Sequence, residues 1–445
     1  MIQPERIQVL NSRKLNKGRY VLYWMQQSQR SEYNHALEYA IDNANELSVP
    51  VVVYFGLTDS YPDANERHYE FMLEGLREIK DALSERGIQL VVQHCSPEEG
   101  VPGMARNASL IVADRGYLKH QVLWRDIVAQ KVECPVVQVE SDLIVPVEAA
   151  SPKEEFTAGT FRPKINKQLS HYLKPLKERF PKKDSLNLQF GSFELLTDKL
   201  DIDKSVSPVN WIKGGTSEAK RRLDVFIEQK LGYFDDLRND PSKDLVSHLS
   251  PYLHFGQVSS LYIALIVGAC DSSGKEAFLE ELIVRRELCM NFIHYNQSYD
   301  SFDSLPMWAK KTLLGHMQDH REYLYSPEEL ENANTHDEYW NAAQKEMVLR
   351  GKMHGYMRMY WGKKILEWSA DPREAYRTAC MLNNKYSLDG RDPASYTGVA
   401  WCFGKHDRAW KEREIFGKVR YMNNRGLERK FDIAQYVKKV SAKNF

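Results

Sequence analysis

The chain has 445 residues, with 61 Lys plus Arg against 61 Asp plus Glu, so it has room for about two or three domains and no global field to select a partner. Its six cysteines (Cys95, Cys134, Cys270, Cys289, Cys380 and Cys402) are scattered and form no CxxC pair, which argues against a zinc site or disulfide framework and suits a reducing compartment. The N-terminus is polar and basic without an apolar signal-peptide core, and no apolar run reaches spanning length, so the expectation is a cytoplasmic, intracellular protein with neither membrane nor metal.

Tyr20 to Met25 (YVLYWM) predicts a buried strand, Ser31 to Leu47 a helix, and Val49 to Leu57 a second buried strand. His68 to Arg86 predicts a long amphipathic helix ended by Gly87. Three more strands follow at Ile88 to Val92, Leu110 to Ala113 and Val136 to Glu140. Continuous apolar strands alternating with helices predict an α/β domain built on a doubly wound parallel sheet, Rossmann-like in class, over residues 1–150. Ligands on such a sheet sit beyond the carboxyl ends of its strands, although no GxGxxG follows the first strand here. Residues 151–211 carry Pro, Lys and Ser with weak periodicity and read as a connector, with one helical piece near Arg162 to Arg179. Residues 212–445 are dominated by helical patterns: Ser217 to Leu231, Ser259 to Ala269, Lys275 to Tyr295, Glu328 to Ala333, Ala342 to Arg350, Gly351 to Trp368 and Pro372 to Asn383. This half is expected to be all-helical.

The helix expected from Gly351 to Trp368 (GKMHGYMRMYWGKKILEW) is central. Met353, Met357, Trp361, Leu366 and Trp368 recur at roughly helical spacing, yet Arg358 lies among them, and a buried guanidinium requires a carboxylate. Asp389, in the polar turn containing Asn383, Asn384, Gly390, Arg391 and Asp392, is a natural partner. Trp361 and Trp368 are seven residues apart and share a helical face. They are either two core indoles or a relay of oxidisable rings. Tyr233 to Gln257 contains a turn at Arg238 to Pro241 and then Ser247 to Pro251, where Ser250 before Pro251 is either an ordinary helix cap or a phosphate contact. Glu281 and Arg285 are four apart and read as a surface pair unless the carboxylate meets a bound base. WCFGKHDRAW, from Trp401 to Trp410, interleaves aromatic and basic residues as single-strand binders do. It opens a tail with 12 Lys plus Arg against 5 Asp plus Glu over residues 401–445, which fits either a solvated surface or a polyanion contact.

Taken together and in order, LRNDPSK, HLSPYLHFGQVS, KMHGYMRMYWGKKILEW, YSLDGRDP and HDRAWKERE resemble the class II cyclobutane pyrimidine dimer photolyases of the photolyase/cryptochrome family. EEFTAGTFRPKI and, more loosely, YWM, QR and RHYEFMLEGL extend the resemblance over nearly the whole chain. It implies an α/β antenna domain followed by an all-helical FAD-binding domain. It places FAD against Tyr233, Val246, Ser247, His248, Leu249, Ser250, Asn291 and Gly390, with Arg358, Asp389 and Asn383 beside the flavin ring. Trp340, Trp361 and Trp368 match the tryptophans that carry electrons to the flavin, Trp361 nearest to it. Glu281, Met359 and Trp401 match residues that contact the dimer; Arg238, Arg408 and Arg420 match arginines near the substrate or strand backbone. The implied activity is a carbon–carbon lyase reaction on UV-damaged DNA. Photoexcited reduced FAD donates an electron to a flipped-out dimer, in a monomer that associates with the nucleoid when acting on DNA.

Three departures stand out. Arg285 replaces a tryptophan found in some members, and retains a planar face for stacking. Asn34-His35 stands for the usual Asn-Trp, and Asp114-Arg115-Gly116-Tyr117 for Asp-Phe-Ser-Pro, which weighs against a deazaflavin antenna as second cofactor. The competing expectation is a cryptochrome-like light sensor that keeps FAD and the tryptophans without repair.

Overall fold

The computed structural model describes residues 2–442. Its single sheet contains β1 (Ile7–Val9), β2 (Tyr20–Trp24), β3 (Val51–Leu57), β4 (Gln89–His94), β5 (Ala108–Asp114) and β6 (Val136–Val139), in the order β1-β6-β5-β2-β3-β4. The five expected strands are parallel, and β2, β3, β5 and β6 are buried at every position, as their unbroken apolar runs require. The sheet is not wholly parallel, however. β1 adds antiparallel to β6, with Ile7 opposite Val139. Three residues with a mostly exposed face carry too little periodicity to announce a strand.

Alternate side chains feed two cores. Val21, Tyr23, Val51 and Val53 pack with Leu37, Ile41, Leu73 and Leu76 on one face. Tyr20, Leu22, Trp24, Val52 and Tyr54 pack with Val101, Met104 and Val128 on the other. The second face is covered by helices Pro97–Ala105 and Lys119–Lys131, neither of which stands out in the apolar pattern. Helix Glu66–Glu85 ends near the expected point, and Gly87 takes the left-handed conformation at φ 72° that a side chain would resist.

The connector has two distinct parts. Helix Ala158–Tyr172, starting earlier than expected, buries Phe161 and Ile165 in the helical half. Residues 185–193 instead run along β4: the Ser185 N–H donates to Gly87 O at 2.9 Å and the Phe193 N–H to Val92 O at 2.7 Å. They cover an edge that would otherwise offer unpaired backbone groups.

Among the helices of residues 212–442, Glu338–Arg350, Gly355–Glu367, Pro372–Tyr386 and Pro393–Cys402 enclose the largest apolar cluster. The central helix begins at Gly355, not Gly351. Gly351 sits at φ 65° and closes the preceding helix, and His354 caps the new one by accepting from the Tyr356 N–H. A Cβ on Gly362 would lie 2.6 Å from Cys402 Sγ, so this glycine is what lets the two helices touch.

Buried polar struts join the halves. Arg30 donates to Gly256 O at 2.9 Å and to Ser141 O at 2.6 Å. The buried Glu287 carboxylate accepts the Ile144 N–H at 2.6 Å and the Val145 N–H at 3.2 Å. Glu287→Ala strands both donors and is expected to lower unfolding free energy by about 2–5 kcal/mol in urea titrations, with Glu287→Gln losing roughly half as much.

Candidate functional site

Arg358 projects from the central helix toward the turn after Pro372–Tyr386, where its Nη2 donates to Asp389 Oδ1 at 3.2 Å. The carboxylate partner demanded by a largely buried arginine is therefore present. Gly390 makes the turn possible, since a Cβ there would come within 2.8 Å of Asn383 O. A second cation shares the site: Lys352 Nζ donates to Ser250 Oγ at 3.3 Å. Burial would raise the Asp389 carboxyl, but Arg358, Lys352 and the Ser250 hydroxyl outweigh it and hold it below the ordinary range. Burial pushes the Lys352 amine down to about 8, with Asp389 opposing. Burial likewise lowers His248 to about 4, so its neutral ring donates to Asp244 from Nε2 at 2.6 Å. His248 Nδ1 and Arg358 Nε are buried without hydrogen-bond partners. Beside this cluster a cleft of ≈ 340 Å³ is lined by Val246, His248, Lys352 and His354, among others. Two cations with spare donors and a neutral ring acceptor suit an anionic ligand bearing phosphates and a polar heterocycle, and FAD fits that description.

The same helix begins a file of rings. The Trp361 and Trp340 rings stack at 6.4 Å between centroids, 6° apart in plane, and Trp340 meets Trp368 edge-on at 5.6 Å. All three are almost fully buried. Trp340 Nε1 donates to Trp361 O at 3.0 Å and Trp361 Nε1 to Gln344 Oε1 at 2.9 Å, which fixes both rings. Trp368 then contacts Tyr325 at 5.3 Å, near the half-exposed Tyr323.

A third group lies where the central helix meets Pro393–Cys402. Met359 Sδ is 3.9 Å from Cys402 Sγ, and the Arg285 guanidinium carbon lies 5.5 Å from the centre of the Trp401 ring. Glu281 and Arg285 do not pair as an i, i+4 couple. Residues Glu280–Arg285 form a π-type turn, a wider coil frequent at functional sites, which directs Glu281 to Arg238 at 2.6 Å and Arg285 to Glu280 at 3.3 Å. Farther along, Arg408 and Arg420 both lie over Trp410, at 5.3 and 5.1 Å from its ring centre.

Other expected residues sit differently. Asn291 donates to Lys153 O and accepts from the Glu155 N–H, two bonds that hold the connector. Asn383 donates to Ser395 Oγ, one helix away. Tyr233 is 60% exposed, Leu249 belongs to the core, and Ser247 Oγ accepts from the Leu249 N–H at 3.4 Å. Lys352 and Gln344 join the site without having stood out in the sequence, and Trp410 takes a place of its own between two arginines. Lys352 carries the same signal as Arg358, a cation next to apolar neighbours in the same motif.

A separate cavity of ≈ 680 Å³ opens at the carboxyl ends of β2 and β3, with Phe55, Tyr61, Trp124, His254 and Arg391 in its wall. Gln26 Oε1 and Gln29 Oε1 there are buried without donors. His35 and Arg115 lie outside its lining; Arg115 instead pairs with Glu148.

Residues 21–182 match the DNA photolyase family model. The deoxyribodipyrimidine photo-lyase of Methanothermobacter thermautotrophicus is 55% identical over 442 residues, covering 99% of each chain. The chain belongs to the DNA photolyase family. The Potorous tridactylus photo-lyase is 41% identical over 94% of this chain and 81% of its own. Solved photolyase and cryptochrome structures share the fold: a class III photolyase from Agrobacterium tumefaciens has a TM-score of 0.72 at 19% identity, covering 96% of this chain and 87% of its own. A Synechocystis cryptochrome has a TM-score of 0.73 at 14% identity, covering 94% and 88%. In this photolyase family member the ion cluster and the ring file share one helix, which also meets Cys402, next to Trp401. Among the described residues, no helix is long and apolar enough to cross a membrane.

Proposed function

We propose that this chain is a deoxyribodipyrimidine photo-lyase of the class II type, repairing cyclobutane pyrimidine dimers in UV-damaged DNA with FAD. The observation that carries the reading is the convergence on helix Gly355–Glu367 of a charged cluster, a tryptophan file and Met359, which meets Cys402, the residue after Trp401. Bound in its reduced form, FAD supplies the photoexcited electron that opens the cyclobutane ring. The chain binds, orients and tunes. Lys352, Ser250 and His248 would hold the polar part of the cofactor, and Arg358, balanced by Asp389, would favour a negative ring. Trp361, Trp340 and Trp368 would carry electrons inward from the surface. Glu281, presented by Arg238, would accept a pyrimidine N–H from the flipped dimer, while Trp401 and Met359 pack against it; flipping is cheapest for a damaged, poorly paired base. Arg408 and Arg420, braced by Trp410, would contact backbone phosphates, so binding weakens as salt rises.

The direct test incubates the FAD-loaded, reduced protein with dimer-containing DNA in light and darkness. Thymine absorbance should return only in light; no return from a protein whose FAD is still photoreducible would favour a sensor. Lys352 adds a pH test. Its protonated form is the one that attracts an anion, and its amine sits at about 8, so FAD affinity should be full below pH 8. Above that it should fall by up to roughly tenfold per pH unit in fluorescence titrations, a dependence that Lys352→Met removes.

The proposed domain division is residues 1–150 for the α/β unit, 151–211 for the connector and 212–445 for the cofactor-binding unit, acting as a monomer without metal. The two cores on the faces of the sheet support the first unit, and the large helical cluster, which also takes in Tyr117, Leu118, Leu143 and Val147, supports the last. The larger cavity is proposed to take a second, planar chromophore. Its aromatic wall and unfilled amide acceptors support that role, and the departures at His35 and Arg115 lie outside it.

A further inference from the structure

Arg285 belongs to a charge relay that reaches back into the connector. Arg162, on helix Ala158–Tyr172, grips Glu280 with two hydrogen bonds, Nε at 3.0 Å and Nη2 at 2.7 Å. Glu280 also faces Arg285 Nε at 3.3 Å. One carboxylate is thus shared by two guanidinium groups, leaving a single surplus positive charge. Arg285 Nε faces Glu280 as an ion pair without a hydrogen bond, and the guanidinium lies over Trp401. Its terminal amino groups have no hydrogen-bond partner among the described residues, so the fork of donors that matches a phosphate is left free. The neighbouring pair, Arg238 with Glu281, is by contrast neutral as a unit.

We propose that Arg285 binds a backbone phosphate of the lesion strand, and that Arg162 is a positioning residue that keeps Arg285 available by drawing off the charge of Glu280. This rests on the reading of the Trp401 surface as the lesion site. Without Arg162, Glu280 would neutralise Arg285 and pull it away from the strand. Removing the Glu280 charge as well should release it again.

The experiment measures binding of the full-length, FAD-loaded protein to a dimer-containing duplex and its undamaged counterpart across a salt series. Arg285→Met should weaken lesion binding roughly tenfold at low salt and make the slope of log affinity against log salt shallower by about 0.9, while Arg285→Lys keeps most of the slope. Arg162→Met should reproduce part of that loss, and Arg162→Lys should not. The double variant Arg162→Met with Glu280→Gln should return to wild-type slope and affinity. An unchanged slope in Arg285→Met overturns the phosphate contact. A double variant no better than Arg162→Met overturns the relay, because a scaffolding role or a DNA contact of Arg162 itself would not be restored by losing Glu280. A wild-type protein that binds and repairs no dimer would refute the repair assignment instead, and that control is read first.

Discussion

Asp389→Ala is expected to be the most damaging single substitution in the helical half, lowering unfolding free energy of the FAD-free protein by about 3–5 kcal/mol and abolishing light-driven repair. The reason is asymmetry. Asp389 is the shared counter-charge of Arg358 and Lys352, and it is 8% exposed, so its loss leaves two cations in a poorly solvated place. Arg358→Leu should cost less, because Lys352 and Ser250 remain beside Asp389. The pair is also linked to pH. The Asp389 carboxyl is held below the ordinary 3.8, so its contribution is fully present above that value and disappears as pH falls through the lowered one. Urea midpoints of wild type and Asp389→Ala should therefore stay apart from pH 7 down to 3.8 and begin to approach each other only below it. Equal midpoints at pH 7 would mean that the carboxylate does not balance the two cations.

Much of this arrangement is legible in the sequence. The parallel strands announced themselves as unbroken apolar runs because a sheet covered on both faces leaves no polar alternation. A buried Arg358 demanded a carboxylate, and Asp389 supplies it. Other features left weaker traces. β1 is too short to show a period, and Gly351 reads as the start of the central helix although it ends the preceding one. The π-type turn was invisible for a different reason: one extra residue in a coil leaves the composition unchanged, yet it redirects Glu281 and Arg285 to partners that helical spacing does not predict. The amides of Asn291 and Asn383 were likewise unreadable, since their partners come from distant segments.

The position of Trp340 leads to the second large effect. Sequence spacing groups Trp361 with Trp368, seven residues apart on one helix, but each of these rings touches Trp340, which comes from helix Glu338–Arg350 and lies between them. Trp340→Phe should therefore interrupt the file at its middle while preserving an apolar ring in the core. Light-driven reduction of oxidised FAD by an external thiol is expected to slow roughly tenfold or more, equivalent to about 1.4 kcal/mol on the barrier, as read from bleaching of the flavin band. Trp361→Phe should do the same. Repair of dimers by protein that has been reduced chemically in advance should be largely unaffected in both, because the file delivers electrons to the cofactor and takes no part in contact with DNA. That split separates a relay from a structural role: a core defect would lower FAD retention and repair together. Photoreduction at the wild-type rate in Trp340→Phe would show that electrons reach the site by another path and that the stacked indoles serve only as core.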